Sequence, residues 1–196
     1  LQLAEKNLGK TGQNPSVGSI VVKNDTVISS GVTSINGRPH SEFNALNKVK
    51  NTEGSTLYTT LEPCTHRGKT PPCVNIIIKK KIRNVFFGFE DTDLRTFKKA
   101  KKILSSKGIV TKLIRSKKYD NFYRSYLINK KFNIPFISAK IAMSKDNLTI
   151  NKKDKWITNI FSRKIVHLIR SKHDGIISTS KSINYDNALL NCRIEG

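Results

Sequence analysis

The chain has 196 residues, of which 36 are Lys or Arg and 14 are Asp or Glu, giving a formal charge of +22 and a hydrophobic share of 37%. That length holds one ordinary domain plus a fragment of a second, and the apolar share can build a core, which excludes wholesale disorder. Lys or Arg interrupts every hydrophobic run, so no stretch reads as a membrane span, and the first residues read as helix rather than as a secretory signal. Three cysteines are too few for a disulfide framework and point to a reducing cytoplasm, with the thiols kept for other work. The positive charge suits a phosphorylated small molecule or an RNA and does not choose between them.

In chain order, residues 2–7 read as the end of a helix. Gly18–Lys23 is a β-branched run, and Asn24-Asp25 is a hairpin turn into a second strand over 27–32. Residues 41–49 place Phe43, Ala45, Leu46 and Val49 at helical spacing. A short strand follows over 55–59, then a helix over 72–80 opened by prolines, and a strand over 84–89. The helix predicted over 96–106 ends at Gly108, a C-cap signal. Residues 109–114 form a strand and 119–130 a helix. After a short linker near 131–135 the pattern restarts, with strands over 136–143 and 175–178 and a helix over 162–170. The alternation predicts α/β layers. It divides the chain at 1–131 and 132–196, the second part too small to close a core. Leu1 is not Met, so both ends are expected to be cut from a longer protein.

Chemistry concentrates in His40-Ser41-Glu42 and in Glu62-Pro63-Cys64 followed by Cys73. A hydrolytic zinc needs three protein ligands and an open fourth position for water. His40, Cys64 and Cys73 supply one imidazole and two thiolates, a donor set suited to zinc. Cys73 follows Pro71-Pro72 at a helix start, where free N–H groups favour a thiolate. Glu42, two residues after His40, reaches the water without binding the ion and moves its proton to a leaving amine. This is the His-x-Glu and Pro-Cys…Cys signature of zinc deaminases. A closed structural site with His66 as fourth ligand is the alternative, and it would leave Glu42 without a purpose.

At these residues the sequence resembles one family, the bifunctional deaminase–reductase of bacterial riboflavin biosynthesis. Eight residues, Thr65-His66-Arg67-Gly68-Lys69-Thr70-Pro71-Pro72, separate the two cysteines where the general deaminase pattern has two, and they are similar to that family's insertion. Asn14-Pro15-x-Val17-Gly18 is similar to its first loop, and Thr60-Leu61-Glu62-Pro63-Cys64 to its metal strand. The resemblance implies a cytidine-deaminase-like three-layer α/β/α domain that binds Zn2+. It further implies hydrolytic deamination of 2,5-diamino-6-ribosylamino-4(3H)-pyrimidinone 5′-phosphate, with Asn14, His66, Lys69 and Asp91 as substrate contacts. Two departures stand out: Ser41 replaces the usual Ala, and Asp91-Thr92-Asp93-Leu94 replaces Asp-Pro-Asn-Pro, without the glycines that follow it in the family.

The second segment resembles the start of the family's reductase, dihydrofolate-reductase-like in fold and here incomplete, through Lys140-Ile141-Ala142-Met143-Ser144-Lys145-Asp146, Trp156-Ile157-Thr158 and Asp186-Asn187-Ala188-Leu189-Leu190. The resemblance puts Ala142, Trp156, Ser182 and Asp186 toward NADPH, and Asp154, Arg170, Leu190 and Arg193 toward the ribosyl substrate. It makes the expected partner a small phosphorylated pyrimidine rather than a membrane or a nucleic acid, and leaves homo-oligomerisation open. A nucleotide or tRNA-base deaminase is the alternative enzyme, against which the cysteine spacing speaks. A zinc-stabilised RNA-binding module is the alternative outside enzymes.

Overall fold

The computed structural model describes residues 1–149 and 156–194. The chain divides into two compact units, Leu1–Phe136 and Ile137–Gly196.

In the first unit, β1 (Gly18–Lys23) and β2 (Thr26–Val32) form a hairpin. Its Asn24-Asp25 turn has φ of 48° and 56°, the left-handed conformation that two-residue hairpin loops need. With β3 (Thr56–Thr59), β4 (Asn84–Phe87) and β5 (Val110–Leu113) they make a five-stranded sheet in the order β2-β1-β3-β4-β5. β1 runs antiparallel to β2 and β3, whereas β3, β4 and β5 are parallel.

Strand alternation aligns Val21, Leu57 and Val85 on one face, paired across the register. The helices α2 (Ser41–Asn47), α3 (Cys73–Lys79) and α4 (Lys99–Ser105) cover it, burying Ala45, Leu46, Val74, Ile77, Ala100 and Leu104 in one cluster. β2 meets α2 backbone to backbone at Gly31, where a Cβ would lie 2.3 Å from the Ser41 carbonyl oxygen and 2.5 Å from the Ala45 nitrogen. On the opposite face, Leu3 and Ala4 of α1 (Gln2–Glu5) lie against Gly18. Tyr119 of α5 (Lys117–Phe132) lies over Gly88, where a Cβ would come within 2.3 Å of its ring. The result is a three-layer α/β/α sandwich. Tyr123 of α5 seals one end, buried with Val17 and Leu61 and bonded through its hydroxyl to Thr60 Oγ1 at 2.5 Å.

Two boundaries differ from expectation. The helix predicted from residue 96 starts at Lys99, because Lys98 takes a left-handed conformation, with φ of 58°, that separates the preceding turn from the helix. The strand predicted to residue 89 ends at Phe87, ahead of Gly88 under Tyr119.

The second unit contains α6 (Ile160–Arg170) and α7 (Ser180–Asp186). Asn159 caps the first through Ser162 N, and Thr179 caps the second through Ser182 N. The strands expected over 136–143 and 175–178 are not formed among the described residues, and α7 was not foreseen. Extended segments become sheet only when neighbouring strands pair with their N–H and C=O groups, and no such strand is present among the described residues of this unit. None of its described side chains is buried, and Ile141, Phe161, Ile165 and Ile177 are exposed. No described helix is long and apolar enough to cross a membrane.

Candidate active site and metal centre

Three elements deliver the predicted ligands to one point. His40 is the N-cap residue of α2, Cys64 follows the loop after β3, and Cys73 opens α3 behind Pro72. His40 Nδ1 lies 3.5 Å from Cys64 Sγ and 3.4 Å from Cys73 Sγ, and the three donor atoms all fall within 4.8 Å of one another. Tetrahedral zinc, with standard bonds to sulfur and imidazole, separates those atoms by about 3.6 Å. The donor set and its spacing therefore fit zinc.

Electrostatics agree with that fit. The Cys73 thiol donates to Cys64, which pulls the Cys64 thiol down to about 4 against the opposing effect of burial, with help from His40 and from the Cys73 N–H at 3.2 Å. Cys73 holds the shared proton and is pushed up by that bond and by burial. The sequence predicts that the start of α3 favours a thiolate on Cys73. Without a metal the helix-terminal Cys73 N–H donates to the Cys64 sulfur at 3.2 Å, so it is Cys64 that this donor favours as a thiolate. His40 is raised by its bond to Cys64. A divalent ion between the sulfurs would displace the shared proton.

Glu42 lies in the first turn of α2, buried at 3% exposure, with Ser41 Oγ donating to its Oε2 at 2.9 Å. Burial raises its pKa above that of an ordinary glutamate.

A cavity of about 240 Å³ opens onto His40, Glu42 and Cys64, and Asn14, His66, Lys69 and Asp91 all line it. Asn14 Nδ2 is anchored on the Gly37 carbonyl at 3.1 Å. His66 Nδ1 lies 3.1 Å from Thr96 Oγ1, outside the converging donor group, so the closed site with His66 as fourth ligand does not form. Asp91 is buried, accepts from the Tyr126 hydroxyl at 2.9 Å and from Asp93 N at 3.0 Å, and is raised by burial. Lys69 is exposed at the rim. Where the sequence departs from Asp-Pro-Asn-Pro, Arg95 grips Asp93 through both carboxylate oxygens and holds it below the usual range.

Sequence reasoning missed four contributors. Arg38 lines the cavity and donates to Thr70 across the inserted loop. Tyr126 orients Asp91 from α5. Glu62, at 2% exposure, accepts from the N–H groups of Asp91, Lys98 and Ala100 and so fixes the cavity wall. Ser19 reaches Ser41. Glu62 stood in the quoted motif without a role; the others carry no local signal.

In the second unit, Trp156 stacks under the Arg163 guanidinium at 4.4 Å. Arg170 donates to the Asn191 carbonyl at 3.0 Å and Arg193 to the Asn191 side chain, so the two arginines share one partner residue. Ala142 and Leu190 are half-buried, whereas Ser182 and Asp186 are exposed on α7. A hollow here is lined by residues including Ser138, Ile141 and His173, and by none of the predicted cofactor contacts. Asp154 lies outside the described residues.

A mixed five-stranded α/β sandwich with a His-Cys-Cys centre beside a buried glutamate defines a zinc-binding deaminase of the cytidine-deaminase class. Residues 1–89 match the family of the cytidine and deoxycytidylate deaminase zinc-binding region. The riboflavin biosynthesis protein RibD of Haemophilus influenzae is 34% identical over 98% of this chain and 53% of its own length, and that of Buchnera aphidicola is 36% identical with the same coverage. Among solved structures, RibD of Acinetobacter baumannii matches with a TM-score of 0.88 at 30% identity, covering 99% of this chain and 55% of that one. A diaminohydroxyphosphoribosylaminopyrimidine deaminase/5-amino-6-(5-phosphoribosylamino)uracil reductase from Thermotoga maritima gives a TM-score of 0.89 at 30% identity, over 99% and 57%. Over nearly its whole length the chain is similar to the RibD proteins of riboflavin biosynthesis. It spans about half the length of the curated relatives it matches.

Proposed function

We propose that this chain hydrolyses the amino group from 2,5-diamino-6-ribosylamino-4(3H)-pyrimidinone 5′-phosphate, releasing ammonia. The observation that carries the reading is the convergence of His40, Cys64 and Cys73 at the floor of a cavity beside buried Glu42. Zinc held by these residues supplies the Lewis acidity that lowers the pKa of water toward neutrality. Glu42 takes a proton from the attacking water as the new C–O bond forms. It then returns that proton to the departing amine as the C–N bond breaks. Burial suits it to this exchange, because a carboxylate held above its usual pKa is a better base toward water and retains the proton near neutral pH until the amine takes it. Asn14, His66 and Asp91 orient the ring, and Lys69 and Arg38 at the same cavity offer positive charge to the 5′-phosphate. Three free cysteines suit a cytoplasmic setting.

Residues 1–131 form the deaminase domain in this reading, and 132–196 the first part of a dihydrofolate-reductase-like domain that takes NADPH only when complete. The unburied apolar side chains of the second unit support that division. The test is ammonia release by the purified zinc-loaded chain from the diaminopyrimidine phosphate, from cytidine, from dCMP and from tRNA, with and without a chelator. Turnover confined to the first and abolished by chelation is expected. Preference for cytidine, dCMP or tRNA overturns the substrate assignment, and NADPH-dependent reduction by this chain alone overturns the domain assignment.

A further inference from the structure

Between α2 and the sheet, in a layer otherwise filled by Val21, Leu57 and Ala45, sits a string of hydroxyls. Ser19 Oγ of β1 lies 2.7 Å from Ser41 Oγ and 3.1 Å from Thr59 Oγ1 of β3, and Ser41 Oγ donates to Glu42 Oε2 at 2.9 Å. Ser41 has no exposure and Ser19 has 1%, so these groups are bonded to one another rather than to bulk water. Packing does not ask for them, since small apolar residues would fill the layer without burying polar atoms. The string ends on a single acceptor, the Glu42 carboxylate. With its proton committed to that carboxylate, Ser41 can only accept from Ser19, whose single proton is divided between Ser41 and Thr59 Oγ1.

We infer that Ser41, backed by Ser19, is a positioning residue that fixes the Glu42 carboxylate for proton transfer. The inference rests on the proposed deamination and adds to it. A catalytic carboxylate free to rotate about its side-chain bonds spends time in unproductive orientations, whereas one oxygen tied to a buried donor leaves the other aimed at the reacting atoms.

The test is a double-mutant cycle of Ser41→Ala and Glu42→Gln, with crystal structures of wild type and Ser41→Ala. Ser41→Ala is expected to keep one zinc per chain, a melting temperature close to wild type and an unchanged KM. Its kcat falls about 10- to 100-fold, the loss expected for a hydrogen bond to a charged group. On the Glu42→Gln background the same change has no further effect, and the Ser41→Ala structure shows the carboxylate rotated. Wild-type kcat in Ser41→Ala, or an equal loss on the Glu42→Gln background, overturns the inference. Should Ser41→Ala not fold, Ser19→Ala must lower kcat several-fold, and an unchanged kcat is fatal. Should the wild-type chain release no ammonia, the proposed function fails. The crystal structures then decide Ser41 alone, and a carboxylate unmoved in Ser41→Ala overturns its positioning role.

Discussion

Replacing Glu62 by Gln keeps its shape and removes its charge. In the wild-type chain Oε2 accepts from Asp91 N and Lys98 N, both at 3.2 Å, and Oε1 accepts from Ala100 N at 3.1 Å. A glutamine can leave its oxygen under the first two donors, but its NH2 then confronts the Ala100 N–H. One charge-assisted bond is lost and one buried N–H is orphaned. Against that stands relief of the desolvation that raises the Glu62 pKa. A net destabilisation of about 2 kcal/mol follows, and about 4 kcal/mol for Glu62→Ala, which orphans all three N–H groups and opens a void. Urea unfolding should be followed by circular dichroism, since the single tryptophan, Trp156, lies in the second unit and would not report on this one. Amide exchange should accelerate at Asp91, Lys98 and Ala100 and stay slow at Leu57 and Val85. A Glu62→Gln chain within about 0.5 kcal/mol of wild type, less than one ordinary hydrogen bond, with those three amides unchanged, would refute the reasoning.

The three cysteines give a second prediction. With zinc bound, a thiol reagent should modify Cys192 quickly and spare Cys64 and Cys73, and after chelation the half-buried, low-pKa Cys64 should react while buried Cys73 lags. Protection of Cys64 in metal-free protein would count against the site. Tyr126→Phe removes the donor to Asp91 and should raise KM several-fold with kcat little changed, as steady-state kinetics would show. Asp93, held below the ordinary aspartate range by Arg95, contributes stability above about pH 4 that fades as pH falls through its own lower value. Arg95 is exposed, so the contribution is under about 1 kcal/mol, and the difference in urea stability between wild type and Asp93→Asn should shrink from pH 6 to pH 3.

The hairpin at Asn24-Asp25, the apolar spacing of α2 and the convergence of His40, Cys64 and Cys73 were all legible, because each is written in neighbouring residues or in a motif whose spacing the chemistry demands. The start of α4 was not. The N–H groups of its cap residue Lys98 and of Ala100 are taken by Glu62, more than 30 residues upstream. The hydroxyls of Ser19 and Ser41 sit 22 positions apart and meet only because β1 lies beneath α2. Tyr126 and Asp91 are 35 apart. Such pairs are products of topology, which no local pattern records. Residues 136–143 failed as a strand for a related reason: alternation supplies a willing segment, and only a neighbour makes it a sheet. The cap of α7 was readable, since Thr179 precedes Ser182 at the usual offset and was overlooked.

Gly31 has a reach beyond its size. A methyl group there would lie 2.3 Å from the Ser41 carbonyl oxygen, and that carbonyl belongs to the turn joining His40 to Glu42. The helix cannot retreat without dragging imidazole and carboxylate along with it. An edge strand thereby sets the clearance of the chemistry, and a single added carbon would be felt as lost turnover together with lost stability.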